Sequence, residues 1–199
     1  MRIGIYSGTF DPVHKGHIAF ALEAAKVAQL DKVFFAPEMK PRRKENSTHV
    51  AHRITMLRLA LRLHPKLDIL ELPDAHFTPR KTYARLRSYF PNDNLVLLMG
   101  EDLLMYMHTW PYVEHMLPHI EIAIGLRENH TKASIDKLIT ELPAQPQDYC
   151  IVQTSYSSIS SMKVRQDLIK RRESKDIIKS VAKYAQTEWL YHDLSKPQR

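Results

Sequence analysis

Arg2-Ile3-Gly4-Ile5-Tyr6-Ser7-Gly8-Thr9-Phe10-Asp11-Pro12-Val13-His14-Lys15-Gly16-His17 is the stretch that decides the fold of this chain. It starts as a short apolar run with β-branched and aromatic side chains, the composition of a buried strand. Gly8 and Pro12 then force a turn, and Gly16 lets another group come close to the backbone. His14 and His17 stand three residues apart where the next segment, 18–30, becomes helical in character. A strand, a tight turn and a helix start that carries histidine make a place to hold a polyphosphate. The first turn of a helix has unpaired N–H groups and the positive end of the helix dipole. An isolated histidine pair at this spacing is more often solvated, and it can also share a metal across one helix face. No carboxylate or cysteine at matching spacing supports a metal site, and none is expected.

Outward from this stretch, strand-like and helix-like segments alternate. Strands are expected over 2–7, 32–36, 67–72, 95–99, 120–126 and 149–154. Helices are expected over 16–29, 52–63, 83–90, 103–107, 112–117, 134–142, 161–171 and 177–185, with a last turn near Tyr191. Strands without polar alternation, separated by helices, specify a parallel sheet covered on both faces. Right-handed crossovers make this a doubly wound, Rossmann-like α/β domain. One domain is expected over 1–191, closing with a short helical segment, and a frayed tail over 192–199.

The 199 residues are enough for one core of ordinary size, and a hydrophobic fraction of 44% is that of a globular chain. Cys150 is the single cysteine and lies in an apolar run, which excludes an internal disulfide framework. The first residues already form a strand, and no apolar run is long enough to span a bilayer, so a cytoplasmic protein without a membrane partner is expected. Lys and Arg outnumber Asp and Glu by 29 to 22, for a net charge of +7, which favours anionic partners. The basic residues are not interleaved with aromatics, so polyphosphate nucleotides suit the chain better than nucleic acid. A homo-oligomer stays open.

Further groups fall at the ends of expected strands. In Gly100-Glu101-Asp102 the glycine permits close ligand approach and Asp102 can accept from ribose hydroxyls; a turn with an N-cap is the plain alternative. In Thr109-Trp110-Pro111 the indole can stack on a planar ring or pack in the core. Arg127 ends a strand on the same side. Ile159-Ser160-Ser161-Met162-Lys163-Val164-Arg165 opens a helix with Ser161 and Arg165 on one face, an arrangement suited to a phosphate chain. Lys40-Pro41-Arg42-Arg43-Lys44 holds four basic residues in five and reads as a mobile basic flap.

Taken together, these residues resemble the bacterial nicotinate mononucleotide adenylyltransferase family, in the nucleotidyltransferase superfamily. Gly8 to His17 matches its first motif without a gap, with His14-Lys15-Gly16-His17 as the core. Arg53 with Met56-Leu57, Gly100 with Asp102, Thr109-Trp110, Arg127, Ile159 to Arg165 and the closing Leu190-Tyr191 fall at family positions. The resemblance implies adenylyl transfer from ATP to nicotinate mononucleotide, with Mg2+ carried on the phosphates. It implies His14 and His17 as catalytic residues that donate to phosphate oxygens and neutralise charge. ATP would be held by Gly8, Thr9, Phe10, Gly16, Lys40, Gly100, Asp102, Ile159, Ser160, Ser161 and Arg165. The acceptor would lie against Thr82, Tyr83, Thr109, Trp110 and Arg127. Two departures stand out: Met162 replaces the family's Thr after Ser-Ser, and Thr82-Tyr83-Ala84 replaces its Ser-Tyr-Thr. Other acceptors (nicotinamide mononucleotide, phosphopantetheine) and a nucleotide-binding module that has lost catalysis stay open at this point. An RNA-binding protein has the least support.

Overall fold

Among the described residues, six parallel strands, numbered along the chain, form one sheet in the order β3-β2-β1-β4-β5-β6. They are β1 (Arg2–Gly8), β2 (Lys32–Pro37), β3 (Leu67–Ile69), β4 (Asn94–Gly100), β5 (Glu121–Gly125) and β6 (Asp148–Val152). The molecule was analysed as a computed structural model that describes residues 1–42, 46–126, 131–153, 155–156, 158–170 and 174–192. The chain starts in the middle of the sheet, winds out through β2 and β3, then returns to lay β4 on the other side of β1. The β1–β4 pair is registered Ile3 to Leu95 through Tyr6 to Leu98. In such a sheet the connections leave β1 and β4 on opposite faces, so a crevice opens beyond their carboxyl ends.

Among the described residues there are eight α-helices, six between strands and two after β6: α1 (Lys15–Val27), α2 (Val50–Leu61), α3 (Thr82–Tyr89), α4 (Glu101–Met107), α5 (Val113–Met116), α6 (Lys132–Thr140), α7 (Ser161–Ile169) and α8 (Lys179–Thr187). The doubly wound α/β expectation holds, and the differences lie at element ends. The strand expected over 67–72 stops at Ile69, because β3 is an edge strand with only β2 to pair with. Helix α2 begins at Val50 rather than 52, where His49 Nδ1 accepts from the Ala51 amide at 3.4 Å. Helix α6 begins at Lys132, where Thr131 and Ser134 cap each other's amides. Residues 154 and 171 of the expected segments lie outside the described residues.

Strand side chains divide between two cores by alternation. Ile3, Ile5, Leu97, Met99, Ile122 and Ile124 pack with Leu104, Met107 and Ile135 on one face. Val33, Phe35, Val96 and Leu98 pack with Ala21, Ala24, Leu57, Val164 and Val181 on the other. Helix α8 lies on α2, with Tyr184 Oη 2.8 Å from His52 Nδ1. His192, assigned to the tail on sequence grounds, has its ring centroid 4.8 Å from that of Trp189. None of the helices among the described residues is long and apolar enough to cross a membrane.

One buried cation holds the loops above the sheet. Arg53 is 1% exposed, and it donates Nε to the Thr48 carbonyl at 2.8 Å, Nη1 to Thr9 at 2.7 Å and Nη2 to Glu38 at 2.7 Å. Burial pulls the guanidinium below its ordinary value, and the nearby Asp11 carboxylate opposes that shift. Removing this side chain strands three loop carbonyls, each costing about 1–3 kcal/mol if left unsatisfied. Arg53→Leu is expected to destabilise the fold by at least ~3 kcal/mol in urea denaturation, and Arg53→Lys to recover less than half of that, because an ammonium cannot span the three carbonyls. A loss below ~1 kcal/mol would show that water replaces the guanidinium without cost.

Candidate active site

The turn after β1 is held in an uncommon backbone conformation. Phe10 has φ 51°, left-handed for a residue with a side chain, which costs about 1–2 kcal/mol. Its ring is 2% exposed and sits edge-on to Tyr6 at 5.2 Å, with Phe35 and His17 also at 5.2 Å. Burying a phenylalanine contributes about 1.5–3 kcal/mol, so packing outweighs the strain. A Cβ on Gly8 would stand 3.0 Å from this ring, which is why a glycine is needed there.

The turn delivers His14 to the N-cap of α1, and His17 reaches back over it. The two imidazoles stack at 3.6 Å with 23° between their planes. The His14 amide donates to His17 Nδ1 at 3.2 Å. That bond assigns the tautomer: Nδ1 of His17 is an acceptor, so the ring is neutral and its proton is on Nε2. His14 is 4% exposed, its Nδ1 is buried without a hydrogen-bond partner, and burial pulls its pKa down to about 4. The expectation that the pair neutralises charge therefore gives way to a pair of neutral donors. His14 is buried and neutral, and His17 is half-buried. Such rings present N–H donors of fixed direction, not cations. Gly16 makes the packing feasible, since a Cβ there would lie 3.1 Å from the His14 ring and 3.1 Å from the Tyr156 carbonyl.

A cavity of about 340 Å³ opens beside this pair. It lies at the carboxyl ends of β1, β4, β5 and β6. Tyr6, His14, His17, Gly100, Gly125, Val152, Ile159, Ser160, Ser161, Met162 and Arg165 are among its lining residues. Gly100 and Gly125 are register partners across β4 and β5. A Cβ on Gly100 would meet nothing within 4 Å, so its Cα faces open space, whereas one on Gly125 would stand 3.0 Å from the Phe20 ring. At the start of α7, Ser160 Oγ accepts from the Lys163 amide at 3.3 Å, an N-cap. Ser161 Oγ donates to the Pro12 carbonyl at 3.0 Å, and Arg165 Nη1 donates to the Asp11 carbonyl. The one proton of Ser161 is thus committed to the β1–α1 turn. What α7 offers a phosphate is the amides of its first turn and the rest of the Arg165 fork.

Other residues singled out from sequence lie off this cavity among the described residues. The Thr9 carbonyl is bound by Arg53 and the Phe10 ring is core. Lys40 is exposed, and its amide ties the basic loop to Ala75 at 2.7 Å. Arg43 and Lys44 lie outside the described residues, as does Arg127. Asp102 is exposed in the first turn of α4, beside Gly100. Thr82 is buried, accepting from the Thr78 amide at 3.0 Å and donating to the His76 carbonyl at 3.4 Å. Tyr83 lines a separate cavity with Asn94, His119 and Gln147, residues just before or opening β4, β5 and β6. It therefore faces the amino ends of the strands, away from the crevice. Thr109 Oγ1 donates to the Tyr106 carbonyl at 2.7 Å, and Trp110 is half-buried with its ring 6.0 Å from Phe77. Among the described residues no three His, Cys, Asp or Glu side chains gather as a metal site would require.

Tyr6, Gly125 and Val152 on the cavity wall, and the Asp11, Arg53 and Tyr191 contacts beneath it, are not assigned from sequence. Gly125 carries a readable signal, a glycine closing an apolar strand as Gly100 does. Asp11, Arg53 and Tyr191 stand at positions the resemblance marks, but their contacts are not readable there because the partners lie elsewhere in the chain; Tyr6 and Val152 carry no signal.

The neutral His14 has a measurable consequence. Its ordinary pKa of 6.5 applies in the unfolded chain and about 4 in the folded one. Between these values the unfolded state binds more protons, so stability falls as the solution is acidified. Between pH 7 and pH 5 this group alone removes about 2 kcal/mol. Urea denaturation at the two pH values should show the unmutated protein losing that much more than His14→Gln. Equal losses would mean that His14 is not buried as a neutral ring.

Three comparisons bear on this site. The family model described as Cytidylyltransferase-like matches residues 5–167. The nicotinate-nucleotide adenylyltransferase of Bacillus subtilis strain 168 is 34% identical over 152 residues, covering 71% of this chain and 78% of that protein. The probable nicotinate-nucleotide adenylyltransferase of Neisseria meningitidis serogroup C is 29% identical over 200 residues, covering 96% and 98%. Plasmodium falciparum nicotinic acid mononucleotide adenylyltransferase complexed with NaAD shares the fold, with a TM-score of 0.79 at 20% identity over 96% of this chain and 97% of that one. The span of the family match and the identity to the Bacillus protein agree with the histidine pair at the switch point, and this chain belongs to the nicotinate-nucleotide adenylyltransferase family of Cytidylyltransferase-like proteins.

Proposed function

We propose that this protein, acting in the cytoplasm, transfers the adenylyl group of ATP to nicotinate mononucleotide, giving deamido-NAD and pyrophosphate in NAD biosynthesis. The observation that carries this reading is the stacked His14–His17 pair, fixed at the start of α1 on the wall of the crevice between β1 and β4. A 5′-phosphate oxygen of the acceptor attacks the α-phosphorus of ATP in line. One P–O bond forms, the α–β P–O bond breaks, and pyrophosphate carries away the electron pair. The nucleophile is already an anion, so no general base and no covalent enzyme intermediate are needed. The protein's part is positioning and electrostatic stabilisation.

In this reading His17 donates Nε2–H to an oxygen on the α-phosphorus. Its direction is set by the bond from the His14 amide to Nδ1. The His14 ring, unpartnered at Nδ1, backs His17 by stacking and gains its own partner when the triphosphate arrives. Arg165 supplies the positive charge and the α7 first-turn amides hold the β and γ phosphates. With Met162 in place of a threonine, only its backbone amide is left to serve there. Gly100 lets the nucleotide approach β4, and Asp102 reaches the ribose. The cavity wall carries no carboxylate among the described residues, so Mg2+ would be bound by phosphates and water. Trp110, paired with Phe77, is the platform for the pyridine ring, with Thr109 beside it and the basic loop at Lys40 closing over the phosphates.

A pyrophosphate-release assay with ATP tests the reading against four acceptors: nicotinate mononucleotide, nicotinamide mononucleotide, phosphopantetheine and flavin mononucleotide. Nicotinate mononucleotide is expected to exceed phosphopantetheine by at least ~100-fold in kcat/KM, since a site built for a ring's polar groups rejects ligands that lack them. Efficient turnover of phosphopantetheine, or of no pyridine mononucleotide, would overturn it. His17→Ala is expected to lower kcat by about 10²–10³-fold, the loss of one transition-state donor. It should also leave the affinity for ATP within a few-fold. Near-normal turnover would remove His17 from the chemistry.

A further inference from the structure

The C-terminal turn reaches into the loop that presents the catalytic histidines. Tyr191 Oη donates to Asp11 Oδ1 at 2.6 Å, across 180 positions of sequence. The other carboxylate oxygen accepts from the Thr48 amide at 3.1 Å. The backbone of the same dipeptide is gripped from α7: Arg165 donates to the Asp11 carbonyl, and Ser161 to the Pro12 carbonyl at 3.0 Å. Asp11 is 6% exposed and near the buried Arg53 cation. Three remote segments therefore converge on two residues that lie just before His14. Burial and the adjacent Asp11 carboxylate push the Tyr191 phenol well above its ordinary value, so it is always a donor. Tyr191 holds this contact from a left-handed conformation, φ 60°, which a tyrosine adopts only when its surroundings demand it.

We infer that Tyr191 is a positioning residue for the ATP site. Through Asp11 it sets the two carbonyls against which Arg165 and Ser161 are braced, and thereby the aim of the Arg165 fork into the cavity. The phenol does not touch the reacting atoms. Its effect falls on the binding of the triphosphate rather than on the chemical step or the acceptor. This rests on the reading of Arg165 as the phosphate clamp.

Tyr191→Phe tests it in the full chain, because the ring and its packing stay and only the O–H is lost. Affinity for a non-hydrolysable ATP analogue, measured by calorimetry without acceptor, is expected to fall ~3- to 10-fold, the range of one hydrogen bond. The kcat and the KM for nicotinate mononucleotide should stay within twofold. Asp11→Asn, which removes the carboxylate's charge, is measured the same way. The double variant should lose little more than the worse single one, since both act through one bond. If Tyr191→Phe does not fold, the comparison of Asp11→Asn with Arg165→Ala decides. Unchanged analogue affinity in a folded variant overturns the inference. An equal loss in ATP analogue and acceptor overturns it too, since that is general loosening. Failure of the proposed reaction reads out separately, as an unmutated protein that binds the analogue but does not use nicotinate mononucleotide.

Discussion

The loops that build the site depend on the buried guanidinium of Arg53. A desolvated cation is tolerated only when its donors are satisfied and an opposite charge is near. Arg53 meets both conditions with carbonyls from Thr9, Glu38 and Thr48 and with Asp11 close by. These carbonyls belong to the turn after β1, the loop after β2 and the approach to α2. Single backbone bonds, such as that from the Glu38 amide to the Gly8 carbonyl at 3.0 Å, join these segments elsewhere. Because the guanidinium is a rigid planar fork, it fixes their mutual spacing and not merely their proximity. In the turn after β1 the fork holds the Thr9 carbonyl, next to the left-handed Phe10 and two residues before Asp11.

Above this framework the site separates direction from charge. The histidines are neutral, one by burial and the other by accepting at Nδ1, so they supply N–H donors whose aim is set before any ligand arrives. Charge enters from Arg165 and from the amides at the start of α7. Braced against the Asp11 and Pro12 carbonyls, α7 cannot shift without moving the β1–α1 turn. The two halves of the proposed phosphate site, the starts of α1 and α7, are thus joined through the β1–α1 turn. In the proposed reaction, a nucleotide between them would meet groups whose reorganisation has already been done in folding.

Most of the fold was legible in the residues. Apolar runs without alternation meant buried parallel strands, and each helix was found, with errors of a few residues where caps such as His49 and Thr131 carried little signal. Residues of the cavity wall were also readable where they stand in short motifs: His14 and His17, and Ile159 to Met162 with Arg165. The side-chain roles were less so. Thr82 and Tyr83 looked like acceptor contacts, yet the Thr82 hydroxyl closes its own loop and Tyr83 faces the amino ends of the strands. A helix start marks which residues stand near a strand end, but the χ angles that send a ring up or down along the sheet are chosen by packing.

The sequence by itself determined the parallel doubly wound sheet, the crevice between β1 and β4 and the histidine pair at its edge. Those features follow from local periodicity, from glycine and proline placement and from the handedness of crossovers, all of which act over short stretches of chain. Only the tertiary structure decided the protonation state of those histidines, the commitment of Ser161 to Pro12, and the convergence of Arg53, Arg165 and Tyr191 on one turn. The His17 tautomer is fixed by the His14 amide three residues away once the rings have stacked, and the rest is a matter of desolvation or of hydrogen bonds between residues 44 to 180 positions apart. Such terms depend on where water has been excluded and which carbonyl is left in need of a donor, and neither exists until the chain has closed on itself.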